Sequence, residues 1–530
     1  MFNLYSKIKA FFKQSPWLGE LFVFVAMLGL YLPLQKSLSF ADPDSFYHLK
    51  MAELIAAHGP VRSFIWMPFT TLATAFADQH FLYHVALIPW IEIFGPLTGM
   101  KLATAFLAAL AIAALAWSMR YMGIRYAWFF ALLAGIMNPL AFRIGLSKAS
   151  APGVALLMIG LALAARRRKW PLAIVAFIYV WTHGSWPALV ALGTVMIVTV
   201  SWGQSPYPYI KGAVPVGARL LRRLWPPRND GFKSLLALWA GAIVGMIANP
   251  NLPQNLKFYW EQIVQIAVIN YQSKIGVGAE WYPYAPARLA NDLPLLCLLA
   301  FVALVVFPVV VALAKEKAEN ERGRIALALA VCALAFLVLT LRSQRHVEYF
   351  VPLAVAACAA WIMALPTRAA LPFLKKNIPT VALLTLGAVA LVLAYAGRGL
   401  VQARRDLAGS YGFTTYQKAG EYLQTKSAPH EIVVNANWDE MPPLFYWDDK
   451  NEYIMGLDPT FMYSANAARY WDYVNFTLGK AKDPAAVMKE LAAHYVFSDR
   501  AHYDLDRMLE ASGKFQRVYI DKDAEIYLLK

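Results

Sequence analysis

Apolar residues in this chain come in runs close to the length at which a helix crosses the hydrocarbon core of a bilayer, about twenty residues. The runs fall roughly at 18–36, 101–119, 124–141, 150–165, 170–184, 186–203, 234–250, 292–314, 325–341, 350–365 and 378–397. Short polar or basic stretches separate them. The pattern predicts a polytopic α-helical membrane protein of about eleven spans, within a range of about 10–13. Cationic clusters such as "RRRK" at 166–169 mark the cytoplasmic side. Placing every such cluster inside puts the N-terminus inside and residues 398–530 outside. The apolar stretch 81–98 then cannot cross, because "RRRK" would fall outside; a helix lying in the outer leaflet is expected there. "SLSFAD" is a poor cleavage site, so the first span reads as an uncleaved anchor.

The periodicity changes near residue 400. "HEIVVNANWD", "EYIMGLDP" and "AHYVFSD" each carry a short β-branched or aromatic run that ends in turn residues. Helix-compatible stretches lie between them at 414–425, 463–478, 484–494 and 502–512, and "QRVYIDKDAEIYLL" predicts a closing hairpin. The expected organisation is a transmembrane domain over 1–400, with outer loops at 39–100 and 251–291, and an extracytoplasmic α/β domain over 401–530.

Composition agrees with this reading. Hydrophobic residues make up 59% of the 530 residues and charged residues 15%, and the mean hydropathy is +0.45. Lys and Arg outnumber Asp and Glu by 49 to 33. The excess sits in short clusters between spans, so it carries topology and implies no nucleic-acid partner. Cys297, Cys332 and Cys358 all fall within spans and read as packing residues.

The polar chemistry gathers on the outer side. "DPDSFYH" places Asp42, Asp44 and His48 directly after the first span. Asp44 or Ser45 could cap the following helix, but a cap does not account for a second acid and a histidine one turn on. Acids there also suit a divalent cation or activation of an acceptor. "GVGAEWYP" carries Glu280 in a Gly-rich outer loop. "LRSQRHVEYF" groups Arg342, Arg345, His346 and Glu348 at an outer membrane edge, an arrangement suited to an anion. "NANWDEMPP" opens an aromatic, acidic loop with Trp438 and Asp439, suited to sugar or peptide. His183 in "THGSWP" reads as a structural histidine.

The order of these motifs resembles the oligosaccharyltransferase catalytic-subunit family, the GT-C membrane glycosyltransferases of the bacterial and archaeal single-subunit type. The resemblance covers most of the chain. Asp44, Phe46, Tyr47, His48 and Lys50 fit the family's Asp-Pro-aromatic-Tyr-His-x-Arg string, with Ser45 in place of the proline. It implies Asp44, Glu280 and His48 as catalytic groups. Arg143, Lys148, Arg345 and His346 are implied on the donor phosphate, and Trp438 and Asp439 on the acceptor. A metal, Mg or Mn, would be held by Asp42, Asp44 and Glu280. The implied donor is a polyprenyl-(pyro)phosphate-linked sugar and the acceptor a protein or a glycan. The implied setting is a bacterial inner membrane with the C-terminal domain in the periplasm, and the implied chemistry is an inverting displacement.

Two departures bear on that chemistry. Asn437 stands where the family's Trp-Trp-Asp motif has its first Trp. The second outer loop, "FRIGLSKASAPG", lacks the family's carboxylate pair and offers Arg143, Ser147 and Lys148 instead. Lys148 could supply positive charge without a cation, so metal-independent transfer is the alternative. Transfer to a lipid or glycan, or carriage of lipid-linked sugar without catalysis, are the competing functions.

Overall fold

The computed structural model describes residues 15, 17–201, 230–284, 321–364 and 378–530. The expected span 292–314, Cys297 and the basic residues 7–13, 211–228 and 368–376 lie outside these residues. Every other expected span falls on a helix: Leu18–Leu34, Pro96–Tyr121, Ala127–Gly135 with Asn138–Gly145, Ser150–Ala165, Lys169–Thr182, Trp186–Ser201, Asp230–Ile247, Glu321–Arg342, Val347–Ala364 and Ile378–Ala408. Four of the described helices are long and apolar enough to cross a bilayer on their own. A fifth candidate span is broken, and several apolar helices are shorter. The stretch expected at 81–98 forms the helix Phe81–Phe94.

Helix Pro96–Tyr121 starts with a proline in its first turn, where the missing N–H leaves no helical bond unmade. It buries Ala103, Ala105, Ala108, Ala109, Ala111 and Ala116. Small side chains bring backbones close, and this helix packs against Leu18–Leu34 and Ser150–Ala165. Val347–Ala364 is buried continuously from Val347 to Trp361, as expected of a helix surrounded by others.

The run read as one span at 124–141 is a broken one. Ala127–Gly135 and Asn138–Gly145 meet at 75°. Pro139 lies in the first turn of the second piece, where it has no N–H to offer the helix before it. The bend carries Arg143 to Glu280 and Glu348.

Seven strands are described, β1 (Ser39–Phe40), β2 (Tyr411–Gly412), β3 (Ile432–Asn435), β4 (Glu452–Tyr453), β5 (Ala493–Ser498), β6 (Phe515–Ile520) and β7 (Glu525–Leu529). The last five form one sheet in the order β4-β3-β5-β7-β6. β3 runs parallel to β4 and β5, whereas β5–β7 and β7–β6 are antiparallel. Alternation along the strands separates two faces. Val433, Phe497 and Ile526 join the same apolar cluster as the membrane helices. Val434, Val496 and Tyr527 pack with Tyr470, Phe476, Leu505 and Leu509 on the other side.

β1 and β2 make a separate two-stranded pair, Phe40 opposite Tyr411 and Ser39 opposite Gly412. It ties the chain just before Asp42 to the chain just after the 31-residue helix Ile378–Ala408. Gly409 makes the junction possible. Its φ is +72°, and a Cβ there would lie 2.1 Å from the carbonyl oxygen of Phe40.

Candidate active site

Asp42 and Asp44 are positioned from the β1 end. The Asp44 N–H donates to Asp42 Oδ1 at 2.9 Å, and the helix Asp44–His58 starts at Asp44 itself with no side-chain cap. The acid that closes the turn is therefore Asp42, and neither Asp44 nor Ser45 caps the helix.

Lys148 reaches both acids from the short loop between Asn138–Gly145 and Ser150–Ala165. Buried hydrogen bonds pin that loop: Gln35 Nε2 donates to the Gly145 carbonyl at 2.6 Å and Thr104 Oγ1 to Ser147 Oγ at 3.0 Å. Lys148 Nζ lies 2.7 Å from Asp42 Oδ2 and 2.8 Å from Asp44 Oδ2. The other oxygen of Asp44, Oδ1, is shielded from solvent and has no hydrogen-bond partner.

Glu280 joins the cluster from the Gly-rich loop. Its Oε2 accepts from Arg143 Nη1 at 2.6 Å and its Oε1 from Arg345 Nη1 at 2.7 Å. Arg143 also donates through Nε to Glu348 Oε2 at 2.9 Å, and Glu348 is fully buried. The Arg345 guanidinium lies over the Trp281 ring, 4.9 Å from its centroid. The loop is held to the Arg345 segment by Ser343 Oγ, which donates to the Glu280 carbonyl at 2.9 Å.

The electrostatics follow from this pairing. Desolvation pushes the Asp44 carboxyl up to about 6, with Lys148 opposing and Asp42 adding to the rise. Burial works against the Lys148 ammonium, yet Asp42 and Asp44 hold it above the ordinary lysine range. Burial likewise disfavours the Glu280 carboxylate, and Arg345 and Arg143 overcome this and keep it well below the usual carboxylate range.

Two cavities flank the cluster and share one wall. The first, about 300 Å³, adds Asn138, Pro139, Arg143 and Trp438 to it. The second, about 120 Å³, adds Tyr47, His48, Gln79, His80, Ser150 and His183. The wall common to both consists of Asp44, Lys148, Glu280, Trp281, Arg345, Leu457 and Asp458. A third cavity, about 230 Å³, runs between the broken span and Ile378–Ala408. It touches Asn138 and Pro139 and is lined by Leu133, Ile136, Met137, Tyr395 and Ala396, together with Arg398 and Gln402.

No family model and no curated protein matches the sequence. Solved structures do match the fold. The Archaeoglobus fulgidus oligosaccharyltransferase in its apo form superposes with a TM-score of 0.59 at 15% identity, over 96% of this chain and 74% of that one. The same organism's AglB, in complex with an inhibitory peptide and a dolichol-phosphate, gives 0.57 at 15% identity, over 96% and 73%. ArnT from Cupriavidus metallidurans, bound to undecaprenyl phosphate, gives 0.55 at 16% identity, over 96% and 97%. The chain has a GT-C fold.

Within this GT-C fold most of the residues expected from sequence converge. Asp42, Asp44, Arg143, Lys148, Glu280, Arg345 and Trp438 all line the first cavity, and His48 lines the second. Two line neither of these cavities. His346 packs its ring near Trp281 and Phe336, and Asp439 accepts a hydrogen bond from Tyr411 Oη at 2.9 Å. A divalent ion on Asp42, Asp44 and Glu280 does not fit these side chains. Lys148 Nζ already bridges the two aspartates, and both oxygens of Glu280 are taken by guanidinium groups. Among the described residues, the group of three metal-ligating side chains that lie together is elsewhere, at Glu440, Asp499 and His502.

The sequence reading missed a histidine chain. His84 Nδ1–H donates to Asp78 Oδ2 at 2.8 Å, and His84 Nε2 shares a hydrogen with His48 Nδ1, also at 2.8 Å. Burial and the neighbouring imidazoles hold His48 and His183 well below the usual histidine range. Burial, followed by His84, brings His80 down to about 3. Neutral imidazoles therefore line the second cavity. The signal was present in "DQHFLYH", where Asp78, His80 and His84 recur within seven residues, but the apolar residues around them read only as a surface helix.

Proposed function

We propose that this protein is a membrane glycosyltransferase that moves a sugar or oligosaccharide from a polyprenyl-(pyro)phosphate carrier onto a protein acceptor at the outer face of a bacterial inner membrane. Residues 1–400 would hold the donor, and residues 401–530, on the periplasmic side, would close the site. The observation that carries the reading is Asp44, with one oxygen pinned by Lys148 and the other unpartnered, in a wall between two cavities.

The donor phosphate belongs in the first cavity, beside Arg143, Lys148 and Arg345. The isoprenoid tail continues past Asn138 and Pro139 into the third cavity, along Leu133, Ile136 and Ala396. The named complexes with dolichol-phosphate and undecaprenyl phosphate support this class of donor. The acceptor nucleophile is placed beside the Asp44 carboxylate, which takes its proton as the new bond to the anomeric carbon forms. The bond from that carbon to the phosphate oxygen breaks, and the departing negative charge meets the three cations. An acid near 6 suits a base at neutral pH. Lys148 supplies the charge that a metal supplies elsewhere, so no step needs a divalent ion.

One observation favours a second reading, a glycan or lipid acceptor. Tyr411 already engages Asp439 and Asn437 replaces the first Trp, so the sequon-reading motif lacks its usual parts.

The test is transfer of radiolabel from a polyprenyl-linked donor pool by purified wild type and Asp44→Ala, each with and without EDTA. Transfer by wild type that survives EDTA and is lost in the variant is expected. Equal transfer by Asp44→Ala, or saturable donor binding with no product under any condition, overturns the reading. Protease-sensitive product identifies a protein acceptor, and label that partitions with lipid identifies the second reading.

A further inference from the structure

We infer that the C-terminal domain carries a divalent-cation site of its own, built from Glu440, Asp499 and His502. β3 and β5 are parallel neighbours, with Val434 opposite Val496 and Asn435 opposite Phe497. Their carboxyl ends therefore lie side by side, and the chain leaves them in two adjacent loops. The first ends at Glu440. The second carries Asp499 directly after β5 and His502 just before the helix Tyr503–Ala511. In open sheets of this kind, the crevice beyond the strands' carboxyl ends is where ligands bind.

The ligand-bearing atoms of the three residues all lie within 4.8 Å of one another. His502 Nδ1 donates to Asp499 Oδ1 at 2.7 Å and lies 3.8 Å from Glu440 Oε1, and a bound ion takes the place of that proton, which a lysine ammonium does not allow. The second, independent observation is the state of Glu440. Its side chain is 1% exposed and its Oε2 accepts the Asn437 N–H at 2.9 Å, but its Oε1 has no hydrogen-bond partner. Asp439 precedes it in the chain. A buried carboxylate oxygen without a donor is costly, and a cation held between Glu440, Asp499 and His502 removes that cost. Asp499 and His502 keep 25% and 22% of their side chains exposed, which leaves a way in for the ion and for water.

One imidazole nitrogen and two carboxylate oxygens form the donor set of a borderline ion such as Zn²⁺, with coordination completed by water. The hard ions Ca²⁺ and Mg²⁺ take oxygen donors instead. The site is remote from the Asp44–Lys148 pair in role. Its effect on the molecule runs through Asp439, whose carboxylate holds Tyr411 of β2, the strand paired with β1. An ion that fixes the 436–440 loop thereby steadies the strand pair that seats Asp42.

The experiment uses the full-length protein in detergent, stripped with EDTA, dialysed against Zn²⁺ or Mg²⁺ and then assayed for bound metal and for melting temperature. Wild type is compared with His502→Ala, Asp499→Asn and His494→Ala. The last removes an exposed histidine of β5 that pairs with Glu431 and lies outside the cluster. Wild type and His494→Ala should retain about one equivalent of Zn²⁺ more than His502→Ala or Asp499→Asn. Zn²⁺, and not Mg²⁺, should raise the melting temperature of those two proteins alone. Equal zinc content in wild type and both cluster variants overturns the proposal, as does a wild type that retains no zinc. Asp499→Asn is nearly isosteric and partly exposed, so it decides the matter even if His502→Ala fails to fold.

Discussion

Replacing Lys148 with methionine keeps the length of the side chain and removes its charge from between Asp42 and Asp44. At 2.8 Å from Asp44 Oδ2, two unit charges attract by about 6 kcal/mol at an effective dielectric near 20. Asp44 keeps 26% of its side chain exposed, so solvent reduces the net effect to roughly one to three pKa units. The carboxyl then moves from about 6 toward about 8. A base must be deprotonated to act, so activity is lost as pH falls through that value. At pH 7 the ionised fraction drops from roughly nine-tenths to roughly one-tenth, a tenfold loss from protonation alone. The assay is initial-rate transfer of labelled sugar from saturating polyprenyl-linked donor between pH 5 and 9. The acidic limb of Lys148→Met should shift upward by at least one unit, with a residual deficit at high pH from the missing cation on the phosphate. Lys148→Arg should restore the limb. An acidic limb in Lys148→Met that coincides with wild type would refute the coupling between these side chains.

Glu280→Gln leaves Arg143 and Arg345 without their shared carboxylate; breaking such a pair costs about 3–5 kcal/mol when fully buried, and less here because 22% of Glu280 is exposed. A lower melting temperature together with a raised donor KM is the expected outcome, and an unchanged melting curve counts against it. Gly409→Ala places a methyl group against the Phe40 carbonyl at a left-handed φ, so it should open the β1–β2 pair and reduce kcat more than donor affinity. His84→Ala removes the middle of the Asp78–His84–His48 chain. Transfer should fall while labelled donor still binds, and equal kcat in the variant would remove His48 from the reaction.

Much of the membrane architecture was legible because a bilayer imposes one length scale on apolar runs. The tail was legible because β-branched runs and turn residues alternate there. The convergence of Asp44, Lys148, Glu280 and Arg345 could be read from the order of outer-side motifs, and Lys148 drew notice because it replaces acids. Other features left no such trace. β1 and β2 are two-residue strands, too short for any periodicity. The 75° break at 136–137 lies inside a run that hydropathy reads as one span; its signal was Asn138–Pro139 directly after it, a turn dipeptide that the span reading passed over. Nothing in "NWDE" tells that Tyr411 captures Asp439, since the partner arrives from a segment 28 residues away. The histidine chain escaped notice for a related reason: His48 meets His84 from 36 residues away, on another helix.

The β1–β2 bridge sets a schedule for synthesis. Ser37 Oγ donates to the Ala408 carbonyl across 371 positions of chain, and Phe40 must wait for Tyr411 before the strand beside Asp42 exists. On a ribosome, all of the described membrane helices are made before that partner emerges. The segment that carries Asp42 therefore stays unpaired through most of translation. Closing a loop this long adds little entropic penalty once the spans are anchored, because that penalty grows only with the logarithm of length. The cluster around Asp44 is thus completed late, as the C-terminal part of the chain folds down onto its beginning.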